Sequence, residues 1–234
     1  MFINIDVKSL EVVVAAFLSQ DQVLYRELRD GLDLHADNQK KFGLPDRVTA
    51  KVFIFKLLYG AQEYGFAQDS DFTFISTNPK FWRGVIDKFY TKYPGIKAWH
   101  DRILTQVGKH GKMLTPFGRR FEWDLMSTGE WKLPSTQIKN YCVQGSGADV
   151  VMMARVSLFK RLKQAGIHCK LVSTVHDSIV IDCESKWVDE IVAIVKQVFK
   201  DLPDQINNIF GIGWDLEVKV EIQVGHDLFN MKEI

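Results

Sequence analysis

Charge imbalance is the first thing this sequence lacks. Its 234 residues carry 30 lysines and arginines against 29 aspartates and glutamates, a formal net charge of +1. A free-standing nucleic-acid binder ordinarily carries a larger excess, so any such role must rest on local basic clusters or on a partner. Cysteine is scarce too. Cys142, Cys169 and Cys183 lie 27 and 14 positions apart, which fits no zinc or redox spacing and reads as reduced, buried thiols of a cytoplasmic protein. Long apolar runs are missing: MFINIDVKSLEVVVAAFLSQD is interrupted by Asp6, Lys8 and Glu11, which excludes a signal peptide or a membrane span. Repeats and low-complexity segments are absent. What remains is 46% hydrophobic and 25% charged, the composition of a soluble, well-packed protein of one large domain or two modest ones.

A βαβ rhythm is also missing, and the mixture of helices with antiparallel strands indicates an α+β fold. FINID, residues 2–6, alternates as a strand, and SLEVVVAAFLSQD follows as a helix with Ser9 as N-cap. Pro45 introduces a helix over 46–60 ended by Gly60. Residues 78–112 read as two helical pieces broken near Tyr93-Pro94-Gly95, and after the loop TPFGRRFEWD a long helix runs from Pro134 and Ser135 to about Lys163. HCKLVSTVHDSIVIDC, residues 168–183, has the pattern of a hairpin with His176-Asp177 at its two-residue tip. A helix near 187–198 and an alternating strand over 216–224 complete the outline.

Three constellations carry chemistry. Asp177, between β-branched flanks, either serves the turn backbone or faces a ligand. Asp6 ends an apolar strand in the same way, and two strands ending side by side would converge two carboxylates able to hold a pair of Mg²⁺ ions. Arg47, Lys51, Phe55 and Tyr59 recur every four residues, one helical stripe of two cations followed by two aromatics. That order suits a nucleoside triphosphate, although a solvated cation pair beside two core rings has the same pattern. Asn140 and Gln144 share a helical face, next to Gly145-Ser146-Gly147, and suit either minor-groove base edges or a close helix–helix contact.

Together and in this order, these residues resemble the C-terminal half of family A, polymerase I-like, DNA polymerases. IDVKSLEVVVAAFLSQD is similar to the first palm motif of that family, usually Asp-Tyr-Ser-Gln-Ile-Glu-Leu-Arg, and RVTAKVFIFKLLYG to the fingers motif Arg-x3-Lys-x3-Phe-Gly-x2-Tyr-Gly. TVHDS is similar to the second palm motif, Val-His-Asp-Glu; GLDLHADNQKKFG, YPGIKAW, TPFGRR, QGSGADVV and VGHDLFNM fall in the family's order. The resemblance implies an antiparallel palm sheet with helices on one face, formed by residues 1–20 and 132–234, and mainly helical fingers over 21–131. It implies primer–template DNA and dNTP as ligands and two Mg²⁺ ions held by Asp6, Asp177 and the Val7 carbonyl. Arg47, Lys51 and His35 would hold the triphosphate, with Lys51 placed to protonate pyrophosphate. Phe55 and Tyr59 would frame the sugar and nascent pair, and Glu11 would exclude a 2′-hydroxyl. Arg119, Arg120, Asn140, Gln144 and His176 would touch DNA.

The chain departs from the family pattern at Ser178, where Glu is usual, at Lys56, where glycine follows the phenylalanine, and at Val7, Lys8, Ser9 and Val13 of the first motif. No thumb, early palm strands or exonuclease are recognisable. The expectation is therefore template-directed DNA synthesis in the cytoplasm of a bacterium or a phage-infected cell, with a second polypeptide supplying the thumb and the rest of the palm. That partner would cover apolar surface and an unpaired strand edge near FINID. The other readings are a catalytically silent DNA-binding subunit and a metal-dependent nuclease.

Overall fold

The computed structural model describes residues 1–124 and 133–234. In chain order, β1 (Phe2–Val7) leads to the helices α1 (Leu10–Ser19), α2 (Gln22–Arg29), α3 (Leu34–Phe42) and α4 (Arg47–Leu58). Next come α5 (Glu63–Gln68), α6 (Pro79–Lys92) and α7 (Pro94–His110), then the short ribbon β2 (Lys112–Leu114) and β3 (Arg120–Glu122). The 30-residue α8 (Ser135–Gln164) precedes the hairpin β4 (Cys169–Val175) and β5 (Ser178–Cys183), and α9 (Val188–Phe210), β6 (Val220–Gly225) and β7 (Lys232–Glu233) close the chain. The fold is α+β, as the sequence indicates. Residues divide into two compact units, Met1–Leu10 with Gly145–Ile234, and Glu11–Gln144. The junction expected near residues 131 and 132 lies outside the described residues.

The first unit is built on an antiparallel sheet of order β4-β5-β1-β6-β7. Alternation along β1 buries Ile3, Ile5 and Val7 and turns Asn4 and Asp6 to the opposite, half-exposed face. Ile179, Ile181 and Ile222 lie opposite Ile5 and Ile3 in the register and are equally buried. Helical stripes in the same unit complete the core: Val151, Ala154, Leu158 and Leu162 of α8, and Ile191, Val195, Val198, Leu202 and Ile206 of α9. The expected free edge near FINID is not there. β1 is the central strand, hydrogen-bonded to β5 on one side and β6 on the other, and the edges are β4 and β7.

Three boundaries also move. Ser9 has φ 51°, the left-handed region, and not the extended backbone of a capping residue. The last helix continues past Val198 to Phe210, carrying Pro203 within it. The strand expected from Leu216 begins pairing only at Val220, because the Asn207 side chain takes both backbone groups of Trp214 (2.6 and 2.7 Å) and ties that segment to the end of α9.

The second unit is helical around an aromatic core. Phe53 of α4 packs against Phe66 (ring centroids 4.8 Å), which stacks on Trp82 (5.4 Å), with Phe72 edge-on to both. Phe53, Ile54, Leu57 and Leu58 thereby pin one side of α4 inward. Asp46 caps the helix through the Thr49 N–H (2.8 Å), and Gly60, at φ 90°, allows the chain to leave it. The remaining side carries the stripe of four.

Candidate active site

In the sheet unit, register decides what the carboxylates can do. Asp6 lies directly opposite Ser178 at the start of β5, and the Val7 N–H donates to the Asp177 carbonyl at 3.2 Å. His176 and Asp177 form the two-residue tip of the β4–β5 hairpin, as the sequence pattern requires. The strand ends therefore sit side by side. His176 takes φ 53°, a backbone region that a first tip residue ordinarily fills with glycine. The strained turn leaves the imidazole exposed and Asp177 half-buried. Ser178, where a carboxylate is usual, donates its hydroxyl to the Val175 carbonyl (3.0 Å) and so stitches the turn.

The register adds a residue that no motif singled out. Glu221 of β6 lies opposite Asp6 on its other side, hence on the same face of the sheet, and pairs with Lys8 at 3.3 Å. Only the alternation of LEVKVEIQV hinted at it, and alternation does not say which residue it will face. Among the described residues no group of three or more histidines, cysteines or carboxylates is assembled tightly enough to hold a metal ion. The donors expected from the sequence, Asp6, Asp177 and the Val7 carbonyl, are all hard oxygen atoms of the kind Mg²⁺ takes.

In the helical unit, the stripe of α4 grades from water to core. Arg47 and Lys51 are exposed, while Phe55 and Tyr59 are half-buried. Arg47 Nε donates to both oxygens of Asp33 (2.8 and 3.1 Å), the residue that caps α3 through Ala36 N–H, so the guanidinium is anchored to a second helix. That hydrogen bond holds the Asp33 carboxyl below the usual carboxylate range. Lys51 Nζ lies 5.6 Å from the Phe55 ring centroid, and His35 meets the same ring edge-on at 5.8 Å. His35 is buried, its Nδ1 without a hydrogen-bond partner among the described residues. Burial first, then the charges of Arg47 and Lys51, push its pKa down to about 4. At neutral pH it is an uncharged imidazole beside two cations. Tyr59 donates to Glu11 at 3.3 Å, which fixes that carboxylate beside the aromatic end of the stripe.

Lys56 does not join this surface. It ion-pairs with Asp69 and with Asp71 (3.3 Å) and sits 5.2 Å from the Phe72 ring centroid, bracing α4 against the turn after α5. Of the remaining candidates, Arg120 is exposed and paired with Glu122 two residues along β3, and Arg119 is exposed in the turn closed by Thr115. Asn140 and Gln144 lie one turn apart on α8, Gln144 exposed and Asn140 half-buried, its Oδ1 without a partner among the described residues.

Comparison with known proteins places the chain in a family. The chain is 28% identical over 230 residues to DNA polymerase I of Chloroflexus aurantiacus, covering 92% of this chain and 24% of that protein. It is 30% identical over 239 residues to the thermostable DNA polymerase I of Thermus filiformis, covering 97% and 27% respectively. The chain thus spans about a quarter of the length of these relatives. Its fold is similar to the POL domain of Pol1 from M. smegmatis, solved in complex with DNA primer-template and dNTP, with TM-score 0.80 and 20% identity over 97% of this chain and 39% of that one. The family model of DNA polymerase family A matches residues 1–229, and the protein belongs to that family.

Proposed function

We propose that the chain is the catalytic palm–fingers portion of a DNA polymerase, the sheet unit acting as palm and the helical unit as fingers. It would transfer nucleotides from dNTPs to a primer 3′-hydroxyl on a DNA template. The observation that carries this reading is the pairing of β1 with β5, which brings Asp6 beside the strained His176-Asp177 tip in a chain matched to the family along nearly its whole length. Asp6, Asp177 and the Val7 carbonyl would hold two Mg²⁺ ions. When bound, such ions lower the charge cost of attack and departure at phosphorus. Arg47 and Lys51 would grip the triphosphate, joined by neutral His35 as a hydrogen-bond partner, with Lys51 giving a proton to the departing pyrophosphate. Phe55 and Tyr59 would frame sugar and base. Glu11, held by Tyr59, would close the space of a 2′-hydroxyl. His176, Arg119, Arg120, Asn140 and Gln144 would meet primer and template.

A polypeptide partner belongs to this reading. A net charge of +1 offers little general attraction to a duplex, and phosphate contacts supply much of DNA affinity. The sheet unit also exposes apolar side chains that a partner would cover: Met152, Val156 and Phe159 at helical spacing on α8, and Val172 and Val175 on the edge strand β4. We assign the further duplex contacts to that partner.

Nucleotide binding tests the fingers half directly. Calorimetric titration of the purified chain with a Mg²⁺–dNTP is expected to show binding, weakened about tenfold or more in Lys51→Ala, the loss of a charge-assisted contact. Equal affinity in both proteins would remove the stripe from the nucleotide site.

A further inference from the structure

The three cysteines match no motif by spacing, yet the fold brings two of them face to face. Cys169 and Cys183 are register partners on β4 and β5. Cys183 donates its N–H to the Met1 carbonyl (2.9 Å) and accepts from the Met1 nitrogen (2.8 Å), so both its backbone groups point toward β1. Its pairing with Cys169 is therefore of the non-hydrogen-bonded kind, in which Cα atoms stand about 4.5 Å apart and side chains share one face. A disulfide spans Cα separations of roughly 4.4–6.8 Å. We propose that Cys169 and Cys183 are a modification site, a dithiol that a small-molecule disulfide closes into a reversible cross-strand bond at the base of the Asp177 hairpin.

The site is reachable. Both cysteines line a cleft of about 560 Å³ together with Phe159, Lys163 and His168. Cys169 is half-buried and Cys183 buried, so the first attack falls to Cys169. Lys163 and Lys170 at the cleft are placed to meet the carboxylates of a glutathione-type oxidant. The Cys169 thiolate attacks one sulfur of oxidised glutathione and releases one glutathione thiolate, leaving a mixed disulfide. The Cys183 thiolate then attacks the Cys169 sulfur and releases the second glutathione. Two protein thiols are oxidised, one glutathione disulfide is reduced to two thiols, and two protons leave the protein. The bond closes the loop from 169 to 183 and fastens β4, an edge strand that pairs with β5 alone among the described residues. Cys142 stays out of the exchange: it is 4% exposed, and burial pushes its thiol up to about 12.

The test is incubation of the folded chain with oxidised glutathione, followed by alkylation of remaining thiols, non-reducing digestion and mass spectrometry. The expected product has lost about 2 Da, links the Cys169 and Cys183 peptides within one chain and reverts with dithiothreitol, while Cys142 is alkylated after denaturation. Its midpoint of thermal unfolding should rise by roughly 5 °C, because the cross-link restricts the unfolded chain. Cys183→Ser should instead retain a stable glutathione adduct on Cys169, and Cys169→Ser should take up none. A wild-type chain that keeps the adduct, links between two molecules, or leaves both cysteines open to alkylation overturns the proposal.

Discussion

Glu11 and Tyr59 share one hydrogen bond of 3.3 Å, and sugar selectivity rests on it in this reading. Glu11→Ala opens space at the 2′ position, so the preference for dNTPs over rNTPs should narrow by about tenfold or more, read from the ratio of kcat/KM values in the active assembly. Lower activity at unchanged selectivity would give Glu11 a different role. The two buried histidines of the helical unit set a pH response. His35 is pushed down to about 4 and His100 to about 3, in both cases chiefly by burial, with the Lys139 charge adding to the second. Between the ordinary histidine value of 6.5 and these values the unfolded chain takes up protons that the folded chain refuses. Stability is accordingly full above 6.5 and falls as pH drops through that window, before the carboxylates depressed below their ordinary 3.8, such as Asp33 and Asp69, begin to titrate. Urea midpoints should decline from pH 7 to pH 5, with a shallower slope in His100→Gln; a flat profile would contradict the burial of both rings.

At the scale of elements, one carboxylate organises two helix starts. Asp21 is 1% exposed; it caps α2 through Val23 and Leu24 N–H (3.1 and 2.9 Å) and accepts from Gly95 N–H of α7 at 2.7 Å. A Cβ on Gly95 would lie 2.7 Å from the Asp21 Cα, so the approach requires glycine. Asp21→Ala should cost about 2–3 kcal/mol by chemical denaturation, a lost cap plus buried donors without partners. Gly95→Ala should also destabilise, and the double variant should cost less than the sum.

The Gly95 contact is not visible in sequence, where Asp21 and Gly95 are 74 positions apart. Local periodicity was legible: the i+4 stripe of α4, the break at Pro94 and the His176-Asp177 tip all follow from spacing within one element. Long-range register was not, which is why β1 was expected near an edge and proves central, and why Glu221 and the Cys169–Cys183 pair went unread. α2 and α3 were missed for a different reason. Their starts are set by side-chain caps at Asp21 and Asp33, and Lys92 of α6 ties both helices down through Glu27 (2.8 Å) and Asp37 (2.8 Å), partners far apart in sequence.

For the whole molecule, the near-neutral charge and the apolar side chains open to solvent on α8 and β4 are the observations behind the proposed partner. Alone, at ~150 mM salt, where screening shortens electrostatic reach to about 8 Å, it should bind primer–template weakly and extend it little. Robust extension by the single chain would contradict the need for a partner while leaving the chemistry intact. The central claim is the chemistry, that Asp177 stands at the reacting phosphorus. Tagged wild-type and Asp177→Asn chains, captured from the cells that make the protein together with their bound polypeptides, allow single-turnover incorporation of one templated dNTP to be compared, with circular dichroism to confirm equal folding. The expected result is incorporation by the wild-type assembly and a loss of about 10³-fold in Asp177→Asn, the several kcal/mol that metal-assisted charge stabilisation supplies. Equal incorporation by the two assemblies, with the same polypeptides present, would contradict it.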